Sequence, residues 1–127
     1  MTSLSGKIDL VQQYLDVRAA SHAIHASNIG NEETPNYKAK IPNFKVHLDH
    51  AIHPSGENGA ASSTEPKLKL EMDVKTSQAA PRDDGNNVNS NLEMSAVAEN
   101  GLLYMAAIKV LNKEMAFARY AITGGGN

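Results

Sequence analysis

The longest stretch with a helical spacing of apolar residues runs from Ser90 to Ile122 and reads SNLEMSAVAENGLLYMAAIKVLNKEMAFARYAI. With Met94 at heptad position a, the a and d positions are Met94, Val97, Gly101, Tyr104, Ile108, Leu111, Met115, Ala118 and Ile122. A second apolar stripe at position c holds Ala96, Leu103, Val110 and Phe117. The apolar arc therefore covers about half the helix circumference. The pattern predicts one long helix with neighbours on more than one side.

Both ends of this segment, residues 90–127, carry helix signals. Ser90 followed by Glu93 fits a capping box, in which the Ser hydroxyl accepts a hydrogen bond from the N3 amide and the carboxylate reaches back to the cap. Three consecutive glycines, 124–126, are expected to end the helix.

The N-terminal segment, residues 1–29, predicts a second helix from Leu4 to about Asn28. Its apolar residues are spaced three or four apart, at Leu4, Ile8, Val11, Leu15, Ala19, Ala23 and Ala26. Two such helices at opposite ends predict a mainly α chain, folded as a helical hairpin or coiled-coil-like bundle. The residues predicted to pack these helices are Leu4, Ile8, Val11, Leu15, Val97, Tyr104, Ile108, Leu111, Met115 and Ile122.

The middle of the chain is predicted to be a small irregular and β segment within the same single domain. Residues 30–53 hold a turn motif and a short element, for which a helix from Ile41 to Ile52 is favoured over a strand. Residues 54–66 have the composition of a flexible loop. Residues 67–89 hold a strand, since Lys67–Lys75 alternates polar and apolar residues, and then a turn.

Composition argues against several functions. The net charge is −2 and no basic run occurs, so nucleic acid is not an expected partner. No segment approaches about 20 consecutive apolar residues, so membrane insertion is not expected. The chain has no cysteine, and its first residues, MTSLSGKIDLVQQYLDV, lack the features of a cleaved signal peptide.

No catalytic or cofactor motif can be placed, so we expect neither an enzyme nor a cofactor. His47, His50 and His53 recur every third residue, as do His22 and His25. On a helix such residues fan out rather than converge, so solvated or partly packed histidines are expected instead of a metal site. Residues 83–87, DDGNN, lack the downstream Glu of a calcium loop and predict a turn.

Residues 26–39, ASNIGNEETPNYKA, resemble a motif of bacterial flagellar rod and hook axial proteins, approximately A-S-N-I-A-N-x-x-T-P-G-Y-K-A. The matching assembly-motif residues are Asn28, Ile29, Asn31, Thr34, Pro35, Tyr37 and Lys38. Gly30 and Asn36 replace the usual Ala and Gly, and Asn36 keeps the turn chemistry because Asn tolerates the left-handed conformation. Residues 84–88, DGNNV, with 99–104, ENGLLY, look like the proximal-rod subgroup.

The resemblance implies a structural subunit of the flagellar basal-body rod, which crosses the periplasm. Such subunits are exported unfolded through the flagellar type III apparatus without a cleaved signal. The implied partners are further copies of the chain, other rod subunits, and the membrane-ring and export-gate end of the basal body. The terminal helices would form a tubular inner layer, and residues 28–38 would contact neighbouring subunits.

Two hypotheses remain open at this point. In the first, the chain ends are poorly ordered in the monomer and burial of the helical arcs against neighbours drives polymerisation. In the second, the chain is a soluble helical interaction module, such as a secretion chaperone or coiled-coil adaptor. The second leaves the turn motif at 34–38 and the strand unexplained.

Overall fold

The computed structural model describes residues 4–49 and 67–124. Four elements follow in chain order: helix α1 (Leu4–Gly30), strand β1 (Lys40–Asp49), strand β2 (Lys67–Thr76) and helix α2 (Ser90–Ile122). The predicted mainly α fold, with two long terminal helices and a small β middle, is confirmed. The loop predicted at residues 54–66 lies outside the described residues.

The two helices form an antiparallel hairpin. The Asn100 Nδ2 donates to the Arg18 carbonyl at 2.8 Å, and nearer the other end His25 Nδ1 lies 2.6 Å from Glu93 Oε2. Residue numbers thus increase along α1 in the direction in which they decrease along α2. By this register Leu4 lies level with residue 114, so residues 115–122 of α2 extend past the described part of α1. We call residues 115–122 the projecting end.

The face of α2 that packs on α1 is centred one position away from the predicted a/d seam. Its buried residues are Asn100 and Ala107, both at position g. Several seam residues instead retain large exposed fractions, among them Met94, Ile108, Met115 and Ile122. On α1 the buried residues are Val17, Ser21 and Asn28, whereas Ala19, Ala23 and Ala26 are exposed. Small and polar side chains therefore line the contact between the helices.

The element after the turn is a strand, so the helix predicted over Ile41–Ile52 is wrong. β1 pairs with β2 in an antiparallel hairpin with Phe44 opposite Met72 and Val46 opposite Leu70. This places the apolar side chains of both strands, except Ile41, on one face, because successive side chains alternate across a strand. The Lys40 amide points away from β2 and donates to Asn28. The backbone nitrogen of Pro42, two residues further along β1, points the same way, so proline removes no hydrogen bond between the strands.

The hairpin runs alongside α1, with Phe44 and Leu70 of its apolar face near the helices and Val46 and Leu48 of the same face exposed. Lys40 is bonded to Asn28, and the Leu70 amide donates to Gln13 Oε1 at 2.9 Å. Leu70 lies opposite Val46, which is about 20 Å from Lys40 along β1. Gln13 is about 22 Å from Asn28 along α1. Strand β1 and helix α1 therefore run antiparallel, side by side. Near the middle, the Arg18 guanidinium lies 4.8 Å from the centroids of both the Tyr14 and Phe44 rings.

The opposite face of the hairpin is charged and exposed. Lys45 Nζ lies 3.4 Å from Asp73 Oδ2, and His47 Nε2 lies 3.6 Å from Glu71 Oε2. The Lys69 ammonium, by hydrogen bond and by charge, holds the pKa of the Glu71 carboxyl below its usual range. The expectation that His47 lies on a helix is therefore wrong, although it is solvated as predicted; His50 and His53 lie outside the described residues.

The start of α2 is capped by a different residue from the one predicted. Asn89 is the N-cap, and its side chain accepts a hydrogen bond from the Leu92 amide. Ser90, the first helical residue, donates its hydroxyl to the Glu32 carboxylate instead, and Glu93 pairs with His25. The Ser90–Glu93 capping box is thus replaced by links to α1 and its following turn. At the other end the helix stops at Ile122, before Gly124 with a φ of 71°.

The length and composition of α2 bear on the expectation that the chain does not insert into a membrane, which stays a prediction. An 18-residue window of α2 has a mean hydropathy of 1.2, enough for a membrane span by length and composition alone. A helix that packs against other proteins passes the same test. The exposed apolar surface of α2 is therefore a feature that any function of the chain must explain.

Candidate functional site

The turn that follows α1 holds most of the predicted assembly-motif residues in one compact unit. Asn31 bonds to Thr34 twice, by backbone and by side chain, and the Tyr37 amide donates to the Thr34 carbonyl at 3.3 Å. Asn36 has a φ of 61°, which confirms the left-handed position predicted after Pro35. The turn reverses the chain, so that β1 can run back along α1.

Asn28 fixes the exit of this turn and is fully buried. Its Oδ1 accepts from the Lys40 amide at 2.9 Å and from the Tyr37 hydroxyl at 3.2 Å. Its Nδ2 donates to the Lys40 carbonyl at 2.7 Å. One side chain thus satisfies both backbone groups of the first β1 residue, because an amide carries a donor and an acceptor side by side. This geometry explains how the motif joins helix to strand.

Asn86 fixes the other side of the turn and is also fully buried. Its Nδ2 donates to the Asn31 carbonyl at 2.9 Å and to the Thr34 carbonyl at 2.8 Å. Its Oδ1 accepts from the Val88 amide at 2.7 Å. The segment before α2 is thereby bonded to the turn after α1, although more than 50 residues separate them in sequence.

Asn87 connects the same segment to the base of the hairpin. Its Oδ1 accepts from the Ala39 amide at 2.7 Å, and its Nδ2 donates to the carbonyls of Ser77 and Ala79 at 3.2 and 3.1 Å. Asn28, Asn86 and Asn87 together therefore join α1, the turn, both strands and the lead into α2. We call these three residues the asparagine lock.

Gly85 allows its segment to approach Asn36 closely, and this predicts a substitution effect. Its φ is 79°, and a Cβ there would lie 2.3 Å from Asn36 Oδ1. We expect Gly85→Ala to lower the free energy of unfolding by about 1–3 kcal/mol, from the left-handed conformation and the clash. Gly30→Ala is the matched control, because nothing lies within 4 Å of its Cβ position. Urea unfolding of both variants measures the difference; equal stabilities would contradict the role of Gly85.

The remaining motif residues lie at the rim of this unit. Ile29 is half-buried, while Pro35 and Lys38 are exposed. The Lys38 ammonium donates to the Gly85 carbonyl, and the Arg82 guanidinium donates to the Glu32 carbonyl. The backbone of the two segments is therefore held by charged side chains from both sides, with Pro35 left free to contact another molecule.

The outward face of α2 is the second candidate surface. Ten large apolar residues of this helix are at least one-third exposed: Leu92, Met94, Leu102, Met105, Ile108, Val110, Met115, Phe117, Tyr120 and Ile122. Of the predicted helix-packing residues, Ile8, Val11, Leu15, Val97, Tyr104 and Leu111 are half-buried along the hairpin. Their packing role between subunits stays a prediction.

Within residues 4–49 and 67–124, no group of three or more metal-ligating side chains converges. His22 is exposed, and His25 is engaged with Glu93. The asparagine lock consists of amide hydrogen bonds, and the outward face of α2 consists of exposed apolar side chains.

Comparison with known proteins identifies the family. No family model matches the chain, but curated relatives align along almost all of it. The flagellar basal body rod protein FlgB of Cereibacter sphaeroides is 31% identical over 98% of this chain and 99% of its own length. The FlgB of Aeromonas hydrophila is 31% identical over 90% of this chain and 91% of its own. The chain belongs to the FlgB family of flagellar basal body rod proteins.

The FlgB of Bacillus subtilis is also similar, 28% identical over 98% of this chain and 99% of its own length. This membership confirms the resemblance found in the two sequence motifs. In this FlgB-family chain the two motifs meet in space, since the first supplies Asn28 and the second supplies Asn86 and Asn87.

Sequence reasoning missed the partners that join the two motifs of this FlgB-family chain. The sequence predicts only a turn at residues 83–87, and that prediction does not include the hydrogen bonds of Asn86 and Asn87 to the segment after α1. The signal that could have found the lock is the concentration of Asn beside Gly in a segment with no apolar periodicity, since buried amides are suited to bonding irregular backbone.

Proposed function

We propose that the chain is a structural subunit of the flagellar basal body rod that assembles with copies of itself and other axial subunits through α1 and α2. The observation that carries the proposal is 31% identity to a FlgB rod protein across 98% of the chain. The proposed location is the rod in the periplasm. The proposed neighbours are other rod subunits and the membrane-ring and export-gate end of the basal body.

The apolar surface of α2 supports assembly through the helices. Among the described residues, the buried apolar side chains are only Val17, Ala39, Val88 and Ala107, while the larger ones on α2 face outward. Full burial of one large apolar side chain contributes about 1.5–3 kcal/mol. Neighbouring subunits that covered a few of these residues would add apolar burial on the scale of the four fully buried side chains.

The thin core also supports export in an unfolded state through the flagellar type III apparatus. A chain that buries few large side chains has a modest free energy of unfolding. The chain has no cysteine, so no disulfide has to be reduced before threading. A low free energy of unfolding would thus favour both unfolding for export and stabilisation by neighbouring subunits.

The test is an epitope tag inserted after Ser62, followed by isolation of flagellar basal bodies. We expect the tagged chain to be enriched with the basal bodies, because rod subunits remain in the isolated structure. A tagged cytoplasmic protein expressed at the same level serves as the control. Recovery of the tagged chain only in the soluble cytoplasmic fraction, in cells that are still motile, would overturn the rod function and favour a free helical adaptor.

A further inference from the structure

The outer edge of β1, on the side away from β2, carries backbone groups that no neighbouring strand pairs. The amide and carbonyl of Lys40 both point outward, since both bond to the side chain of Asn28. Phe44, Val46 and Leu48 follow at intervals of two, so their amides and carbonyls point outward as well. Within the part of the chain that the structure describes, these outward groups have no hydrogen-bond partner. We call these three residues the open edge.

The course of α1 explains why this edge is open. Asn28 bonds to the first residue of β1 on its outer edge. One end of α1 is thus fixed to β1, whereas Gln13, nearer the other end, accepts from the Leu70 amide on the outer edge of β2 at 2.9 Å. The helix therefore shifts from the edge of β1 to the edge of β2 and leaves the rest of β1 uncovered. In agreement, Val46 and Leu48 are 64% and 55% exposed.

The side chains around the open edge favour a particular kind of third strand. On one face of the hairpin, the open edge presents its three apolar side chains. On the other face β1 presents Lys45 and His47, whereas their ion-pair partners on β2, Asp73 and Glu71, are acidic. Opposite charges on neighbouring strands stabilise a sheet, and like charges directly opposite each other destabilise it. An added strand would therefore place acidic residues on the charged face and apolar residues on the other, because side chains alternate along a strand.

We infer that the open edge binds an extended segment of a partner protein in which apolar and acidic residues alternate. The row of outward amides and carbonyls selects an extended backbone, as in other complexes formed by addition of a strand to a sheet edge. A second β1 strand fits less well, because antiparallel pairing centred on Val46 would place one strand's Lys45 opposite the other's His47. The inference concerns the hairpin alone, so it does not depend on assembly through the helices.

Amide hydrogen exchange of the full-length chain, followed by NMR, tests the inference with a synthetic peptide of alternating valine and glutamate as the probe. In the free chain, the three amides of the open edge should exchange faster than the amides of Lys45 and His47, which point toward β2. The peptide should slow exchange of the open-edge amides severalfold and leave the other two unchanged. Contact through side chains alone would not produce this alternation. A peptide of alternating valine and lysine should protect the same amides less.

Two substitutions separate the backbone and charge contributions. Val46→Pro removes the central outward amide but no hydrogen bond to β2, as Pro42 does, and it should abolish protection by the valine–glutamate peptide. Val46→Thr keeps the amide and a β-branched side chain, so it is the matched control and should bind as the wild type does. Lys45→Glu should reverse the preference between the two peptides. Circular dichroism should show wild-type helicity for all three variants.

Several results would overturn the inference. Slow exchange of the open-edge amides in the free chain would show that this edge is already paired, either within the chain or, if the protection rises with protein concentration, between copies. Protection by neither peptide would show that the edge does not accept a strand of this kind. Equal protection by both peptides, or wild-type binding by Val46→Pro, would contradict the charge selection or the backbone pairing. Enrichment of the tagged chain with basal bodies tests the rod function separately and is unaffected by these outcomes.

Discussion

Asn86→Ala should lower the free energy of unfolding by about 2–4 kcal/mol, since it leaves the buried Val88 amide without its acceptor, at about 1–3 kcal/mol, and removes two further hydrogen bonds of about 0.5–1.5 kcal/mol each. The two further bonds are those from Asn86 Nδ2 to the carbonyls of Asn31 and Thr34. These carbonyls keep their hydrogen bonds from the backbone amides of Thr34 and Tyr37. For a chain with few large buried side chains, this is a large share of the total stability. Urea unfolding followed by far-UV circular dichroism measures the change.

Two further variants separate hydrogen bonding from simple space filling. Asn86→Asp has the same shape, keeps the acceptor for Val88 and replaces the donor with an oxygen that faces two carbonyls. It should therefore destabilise at least as much as Asn86→Ala. Asn91→Ala, at an exposed position, should change stability by no more than about 0.5 kcal/mol. A wild-type stability for Asn86→Asp would contradict the lock.

Elements with local signals were predictable from the sequence. The apolar repeat gave α2 from Ser90 to Ile122, and strict alternation gave the strand that starts at Lys67. β1 was misassigned because Ile41, Phe44 and Leu48 also fit a helical spacing. What decides for a strand is pairing with β2 across a long sequence separation, which no local window contains.

The centre of the helix contact could not be found from apolar periodicity. Asn100 and Ala107 occupy it, and neither contributes to a search for large apolar residues. Periodicity instead located side chains that stay exposed, such as Met94 and Ile122. On α2 the fully buried residues are Asn100 and Ala107, while ten large apolar residues remain at least one-third exposed, which is the reverse of an independent globular core. The pattern is the one expected for a subunit that needs neighbours.

The asparagine lock was out of reach for the same physical reason. Buried amides follow no period, because each one satisfies particular backbone groups of an irregular segment. The turn itself was readable from Pro35 and Asn36, since their backbone preferences are local. Its partner at residues 84–88 was recognisable only by family resemblance, which associates the two motifs without showing that they are bonded.

Ile108→Asp should abolish incorporation into the rod while leaving the monomer folded and exported. Ile108 is 36% exposed on the outward face of α2. Burial of an unpaired carboxylate in a subunit contact is strongly unfavourable. Leu102→Asp, at a position that is 65% exposed, is a companion variant with less effect on the monomer. Tagged variants are assayed for enrichment in basal bodies, for motility and for export.

The controls distinguish loss of the contact from loss of the fold. Ile108→Leu keeps an apolar side chain of the same size and should assemble, whereas Ser95→Asp adds the same charge at an exposed polar position and should also assemble. Circular dichroism should show wild-type helicity for all variants. If Ile108→Asp and Leu102→Asp both built rods at the wild-type level, the outward face of α2 would not be an assembly surface. The asparagine lock and its exposed rim at Pro35 would then be the next candidate for subunit contacts.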